Sequence, residues 1–126
     1  MNIVLETLIF GIIMLLIDIP WITFVMKKLY KKVFAININY LSGAIAYILM
    51  ILTYPFIISK SKDLKEKIKT SGILGIIIFG TYSFTLAAIY RKYPIITALA
   101  ETTWGAVLFI LTTVISHFII KKIDNK

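Results

Sequence analysis

Asp18 and Glu101 are the residues of this chain best placed to do chemistry. Asp18 lies in an apolar run from Ile3 to Met26, and Glu101 in a run from Ile95 to Ile120. An ionisable group near the middle of a bilayer costs about 2.5–3.5 kcal/mol on insertion scales, so it is rare unless it serves something. Each acid is followed three residues later by tryptophan, in Asp18-Ile-Pro-Trp21 and Glu101-Thr-Thr-Trp104. Carboxylates in lipid exchange protons or hold cations. They also bond to hydroxyls or share one proton, forming an inert pair that only joins helices. Residue types leave both readings open.

The elements that position these acids follow from hydropathy. The chain has 126 residues, 60% of them hydrophobic, and a mean hydropathy of +0.92. A soluble domain of this length has too little interior to hide four long apolar runs. About 20 apolar residues are needed per crossing. The runs predict spans at about 3–26, 41–58, 71–90 and 95–120. Only helices or closed barrels satisfy their backbone in lipid, and these runs are too continuous for barrel strands. The expected fold is all-α: one polytopic domain over 1–126, a four-helix transmembrane bundle with both termini on one side. The first run has Glu6 where a secretory signal carries basic residues, and it is too long for a signal core, so it is expected to stay as a helix.

Depth brings polar residues to one level. At about 1.5 Å per residue, Asp18 lies roughly 12 Å before the end of the first span, and Glu101 roughly 9 Å after the start of the fourth. Tyr47, Ser83 and Thr85 fall in the same layer. The candidate substrate- or proton-binding set is therefore Asp18, Glu101, Tyr47, Ser83, Thr85, Trp21 and Trp104. Helical spacing gathers Thr97, Glu101, Gly105, Leu108, Thr112 and Ser116 on one stripe, and Gly11, Met14, Asp18, Trp21 and Val25 on another. Gly72, Gly80, Ser83 and Ala87, with Ser42 and Ala46, are candidate close-approach positions. Pro20 removes one helical hydrogen bond and is expected to distort the first helix beside Asp18. Pro94 suits the first turn of the fourth helix.

The net charge of +8 sits between the apolar runs. That pattern fits membrane flanks and excludes a nucleic-acid groove. Lys60, Lys62, Lys65, Lys67 and Lys69 make the middle connection a candidate contact for anionic lipid. Leu64 and Ile68 allow it a short surface helix. The first connection, Lys27-Lys28-Leu-Tyr30-Lys31-Lys32, reads as a helix end running along the interface. Tyr30, Tyr40, Tyr54, Tyr90 and Tyr93 lie near span ends and read mostly as an aromatic belt. The chain has no cysteine, which removes disulfide and thiolate chemistry. It carries no HExxH, GxSxG or phosphate loop, and His117 lies far from the acids. No metal or cofactor is expected, and a conventional enzyme is poorly supported.

The order of motifs resembles domain of unknown function family 2177, a set of short four-helix membrane proteins. The resemblance rests on Asp18-Ile-Pro-Trp21 with Tyr30, on Gly80-Thr-Tyr82-Ser83-Phe-Thr85, and on Glu101-Thr-Thr-Trp104-Gly105. It implies a fold and a set of positions over nearly the whole chain, but no established reaction. The family usually has aspartate at the positions of Ser83 and Glu101 and asparagine at that of Leu86, so this chain keeps only part of any charged cluster.

Three functions fit these residues. The first is a small proton-linked transporter or permeation protein for a small solute or cation, working as a homo-oligomer because four helices enclose little volume. The second is a lipid-modifying membrane enzyme or accessory using the acids with Tyr47, Ser83 and Thr85. The third is a structural membrane component. Basic residues on the side of the termini number eight against six on the other, which favours cytoplasmic termini and leaves dual topology open. Orientation is testable by labelling single cysteines. With cytoplasmic termini, Lys92→Cys is modified from outside and Lys65→Cys is not. The reverse pattern overturns that orientation, and modification of both from outside indicates dual topology.

Overall fold

The computed structural model describes residues 2–26 and 40–125. Four helices among them are long and apolar enough to cross a membrane. Helix α1 spans Ile3–Trp21 and continues as a π-helical turn, Ile22–Met26. Helix α2 spans Tyr40–Phe56 and is followed by a 3-10 turn, Ile58–Lys60. Helix α3 spans Leu64–Ile89, and α4 spans Ile95–Asp124. The expected interfacial segment after residue 26, with Tyr30, lies outside the described residues, as does the side chain of Val25.

The middle connection departs most from expectation. It forms no separate surface helix; its second half is the start of α3, which begins at Leu64 rather than Ser71. A reciprocal cap explains this. The Asp63 carboxylate accepts from the Glu66 N–H at 2.9 Å, and the Glu66 carboxylate accepts from the Lys62 N–H at 3.1 Å. Such Asp–Glu spacing satisfies the orphan donors of a first turn and outweighs the polarity of the segment. Helix α4 runs past Ile120 to Asp124, and Lys121 and Lys122 in its last turn suit the negative end of the helix dipole. Pro94 is the N-cap of α4 rather than its first helical residue, and its carbonyl accepts from Thr97 and Ala98. Pro20 has no N–H to give the Leu16 carbonyl, and the chain leaves α-helical geometry just beyond it. Widened π turns are a known form of such a distortion.

Helix α1 packs on α2 and on α4, and α4 packs on α3. Helices α2 and α3 do not pack on each other among the described residues; the 3-10 turn after α2 meets α3 only at the end holding Ile58. The bundle is therefore an arc, α2–α1–α4–α3, closed at one end and open along the α2/α3 flank. Most of α2 is exposed, including Leu41, Ile45, Ile48, Leu49 and Leu52. In a bilayer these side chains face acyl chains, which cost them nothing.

The tightest seam lies between α3 and α4. A Cβ on Gly75 would collide with the Gly105 carbonyl, and one on Gly105 would meet the Phe79 side chain and the Gly75 carbonyl. Gly11 lets α2 approach α1, where Ile51 fills the space. Ser42 and Ala46 are exposed and form no close-approach pair, because α2 turns Tyr47, Met50, Ile51 and Tyr54 inward instead. Phe10, Met14, Phe79, Leu108 and Phe109 make a buried apolar plug. Tyr54 and Tyr93 are not belt residues: they are 4% and 3% exposed, and the Tyr54 hydroxyl donates to Glu6 at 2.8 Å. Tyr40 and Tyr90 are exposed, as an aromatic belt requires.

Two glycines test this packing. Gly75→Ala must push backbone from backbone, and overpacking of this kind costs about 1–3 kcal/mol. A Cβ on Gly43 meets nothing within 4 Å, so Gly43→Ala is expected to be neutral or to gain up to about 1 kcal/mol of helix propensity. Unfolding of the reconstituted variants by a steric trap measures both.

Candidate functional site

The aspartate and tryptophan of Asp18-Ile-Pro-Trp21 sit one helical turn apart on the same face, as do the glutamate and tryptophan of Glu101-Thr-Thr-Trp104. Because α1 and α4 run antiparallel with these faces together, each tryptophan meets the acid of the other helix. The Trp21 indole N–H donates to Glu101 Oε1 at 2.9 Å, and the Trp104 N–H donates to Asp18 Oδ1 at 2.8 Å. The indoles stack between them, with centroids 4.6 Å apart and planes within 5° of parallel.

The outer helices complete the arrangement. Tyr47 of α2 donates its hydroxyl to Asp18 Oδ2, and Tyr82 of α3 donates to Glu101 Oε2. Each carboxylate oxygen thus has one neutral donor, and each helix supplies one donor. Asp18 is 3% exposed and Glu101 2%. Neutral donors stabilise a carboxylate but do not cancel its charge.

The donors differ in what they allow. An indole N–H donates and cannot accept, so Trp104 and Trp21 hold fixed donor roles at Asp18 Oδ1 and Glu101 Oε1. A tyrosine hydroxyl can both donate and accept. At Asp18 Oδ2 and Glu101 Oε2, Tyr47 and Tyr82 can therefore turn from donor to acceptor.

Asp18 and Glu101 both line a cavity of about 530 Å³. Its polar lining is Asp18, Glu101, Trp21, Tyr47 and Tyr82; Ala46, Leu49 and Met50 of α2, with Ile22, Ile78 and Phe79, supply the apolar wall. Among the described residues, no lysine, arginine or histidine lines it. The volume falls within the range of small-molecule sites. The cavity occupies the open α2/α3 flank, above the apolar plug.

Of the expected site residues, Asp18, Glu101, Tyr47, Trp21 and Trp104 come together. Ser83 and Thr85 do not join them: Ser83 is fully buried with no hydrogen-bond partner, and exposed Thr85 donates back to the Thr81 carbonyl at 2.6 Å. Tyr82 takes the place expected of them. Its spacing of three from Phe79 puts it at the edge of the buried stripe of α3, and that was the available sequence signal. A second polar cavity, about 250 Å³, lies at the other end of the bundle and includes Glu6, Tyr54, Lys67, His117 and Lys121. Among the described residues no cluster of three or more histidine, cysteine, aspartate or glutamate side chains is arranged to hold a metal ion.

A family model described as "Predicted membrane protein (DUF2177)" matches residues 3–118. No curated protein and no solved structure matches the chain.

The crossed bonds predict a pattern of energetic coupling. In double-mutant cycles, Trp21→Phe with Glu101→Ala and Trp104→Phe with Asp18→Ala are expected to couple by about 0.6–1.7 kcal/mol, the range of interhelical bonds in membranes. The same-helix pairs, Asp18 with Trp21 and Glu101 with Trp104, are expected to couple less. Equal coupling in all four cycles would rule out the crossed arrangement.

Proposed function

The chain belongs to the DUF2177 family of predicted membrane proteins, and within that frame we propose that it is a small proton-linked carrier that takes up a solute in the cavity above Asp18 and Glu101. One observation carries this reading. Two carboxyl groups line an open cavity, and among the described residues they are bonded only to neutral donors and no basic side chain joins the lining. A pair kept only to join helices has no need of a cavity beside it. Here Asp18 and Glu101 both line the space that an entering solute would occupy.

The proton and the solute compete. A proton on either carboxyl group would neutralise one buried charge. An entering solute with a positive or hydrogen-donating end offers the same compensation, so a proton is released as it binds. This exchange is reciprocal, as linkage requires. The carrier reading is preferred to a lipid-modifying one because Ser83 and Thr85 stand away from the cavity. The lysines at 60, 62, 65 and 69 are exposed and form the proposed contact with anionic lipid, while Lys67 turns inward. Cytoplasmic termini and assembly into a homo-oligomer belong to the same proposal.

Proteoliposomes loaded with a pH-sensitive dye test it. Among imposed gradients of amines, quaternary ammonium ions and neutral polyols, at least one is expected to drive a lumenal pH change. Asp18→Asn combined with Glu101→Gln is expected to abolish that change. No response to any gradient, or a full response in the double variant, overturns the carrier reading.

A further inference from the structure

The cavity carries more information about its ligand than its volume. We infer that it takes an amphipathic organic monocation, which enters sideways from the bilayer between α2 and α3. This assignment of substrate class rests on the cavity proposed above as the carrier site.

Charge sets the sign. The floor holds two carboxylates, and the four groups bonded to them are neutral. An anionic ligand would sit beside two buried carboxyl groups, with no basic side chain among the described residues to receive it. A cation beside Asp18 and Glu101 compensates carboxylate charge that the described residues leave uncompensated. Aromatic faces strengthen the preference. Trp21, Tyr47, Phe79 and Tyr82 all line the cavity, and aromatic rings attract cations most strongly where water is excluded.

The wall sets the rest of the molecule. A small metal ion needs several hard oxygen ligands close together, whereas this cavity has a broad apolar wall. Ala46, Leu49, Met50 and Ile78 offer dispersion contacts to an apolar body, not a hydration shell. The ligand is therefore apolar over most of its surface, with one positive centre.

The route follows from the arc. Helices α2 and α3 do not pack on each other among the described residues, and Ala46 and Leu49 on that flank are exposed. In a membrane this flank faces acyl chains. A lipophilic cation partitioned in the bilayer reaches the acids there without crossing the apolar plug of Phe10, Met14, Leu108 and Phe109.

Tetraphenylphosphonium is a suitable probe, and tetraphenylborate is its anionic counterpart of nearly the same shape. Binding of each is measured to the protein in lipid nanodiscs and to empty nanodiscs. The chain's two tryptophans are both at the site, so intrinsic fluorescence reports occupancy directly. Tetraphenylphosphonium is expected to bind saturably, to change the indole emission and to weaken as pH falls. Tetraphenylborate is expected to show only lipid partitioning. Asp18→Asn and Glu101→Gln are each expected to weaken the cation by at least about tenfold.

Ala46→Trp, on the exposed flank and in the apolar wall of the cavity, is expected to block binding with an unchanged melting temperature. Saturable binding of both ions, binding that ignores the acid substitutions, or binding unaffected by Ala46→Trp would overturn the inference. The two readings fail separately. Amines or polyols that exchange protons through Asp18 and Glu101 while tetraphenylphosphonium does not bind would sink the substrate class and leave the carrier. Saturable tetraphenylphosphonium binding with no proton exchange would sink the carrier and leave the cation site.

Discussion

Two carboxyl groups inside an apolar bundle, held among the described residues by neutral donors alone, are the constraint on which the rest of this structure depends. A buried carboxylate is tolerated only when its lone pairs are satisfied. Here no single helix satisfies its own acid. Asp18 depends on Trp104 and Tyr47, and Glu101 depends on Trp21 and Tyr82. The four helices are thus tied to one layer, and sliding α1 along α4 by a single turn would break both indole bonds together. The acids fix the register of the bundle as well as its chemistry.

The rest of the packing follows an asymmetry between two seams. Gly75 and Gly105 bring α3 and α4 into backbone contact, while the opposite flank, between α2 and α3, is left open. One half of the bundle is therefore rigid and the other half offers space. Both tyrosine donors belong to the helices that border this space. Among the described donors of the layer, their hydroxyls alone can also accept, so the reversible hydrogen bonds lie on the open side.

Much of this was legible in the sequence, and for identifiable reasons. Length and hydropathy specify membrane helices because lipid leaves the backbone no other way to satisfy itself. The stripe of Thr97, Glu101, Gly105, Leu108, Thr112 and Ser116 is buried throughout, because helical periodicity alone decides a common face. The crossed pairing was not legible. Spacing of three places Asp18 beside Trp21 on one face, but only tertiary contact decides whose acid each indole reaches. The same limit explains Tyr82, whose neighbours Ser83 and Thr85 have the more obviously polar side chains. The inward face of α2 was also hidden, since Ser42 and Ala46 offer the smaller side chains but Gly11 on α1 decides where α2 sits. The early start of α3 was written in Asp63 and Glu66 and masked by the surrounding lysines.

The long helices ask something of the membrane. Helix α3 has 26 residues and α4 has 30. At about 1.5 Å per residue they reach about 39 Å and about 45 Å, past a hydrocarbon core of about 30 Å. Such helices tilt or project into the headgroups. Helix α3 borders the flank where the cavity opens, so its tilt moves one side of the opening. Bilayer thickness therefore acts on the mouth of the cavity as a mechanical load, and acyl-chain length becomes a variable that sets how wide it stands.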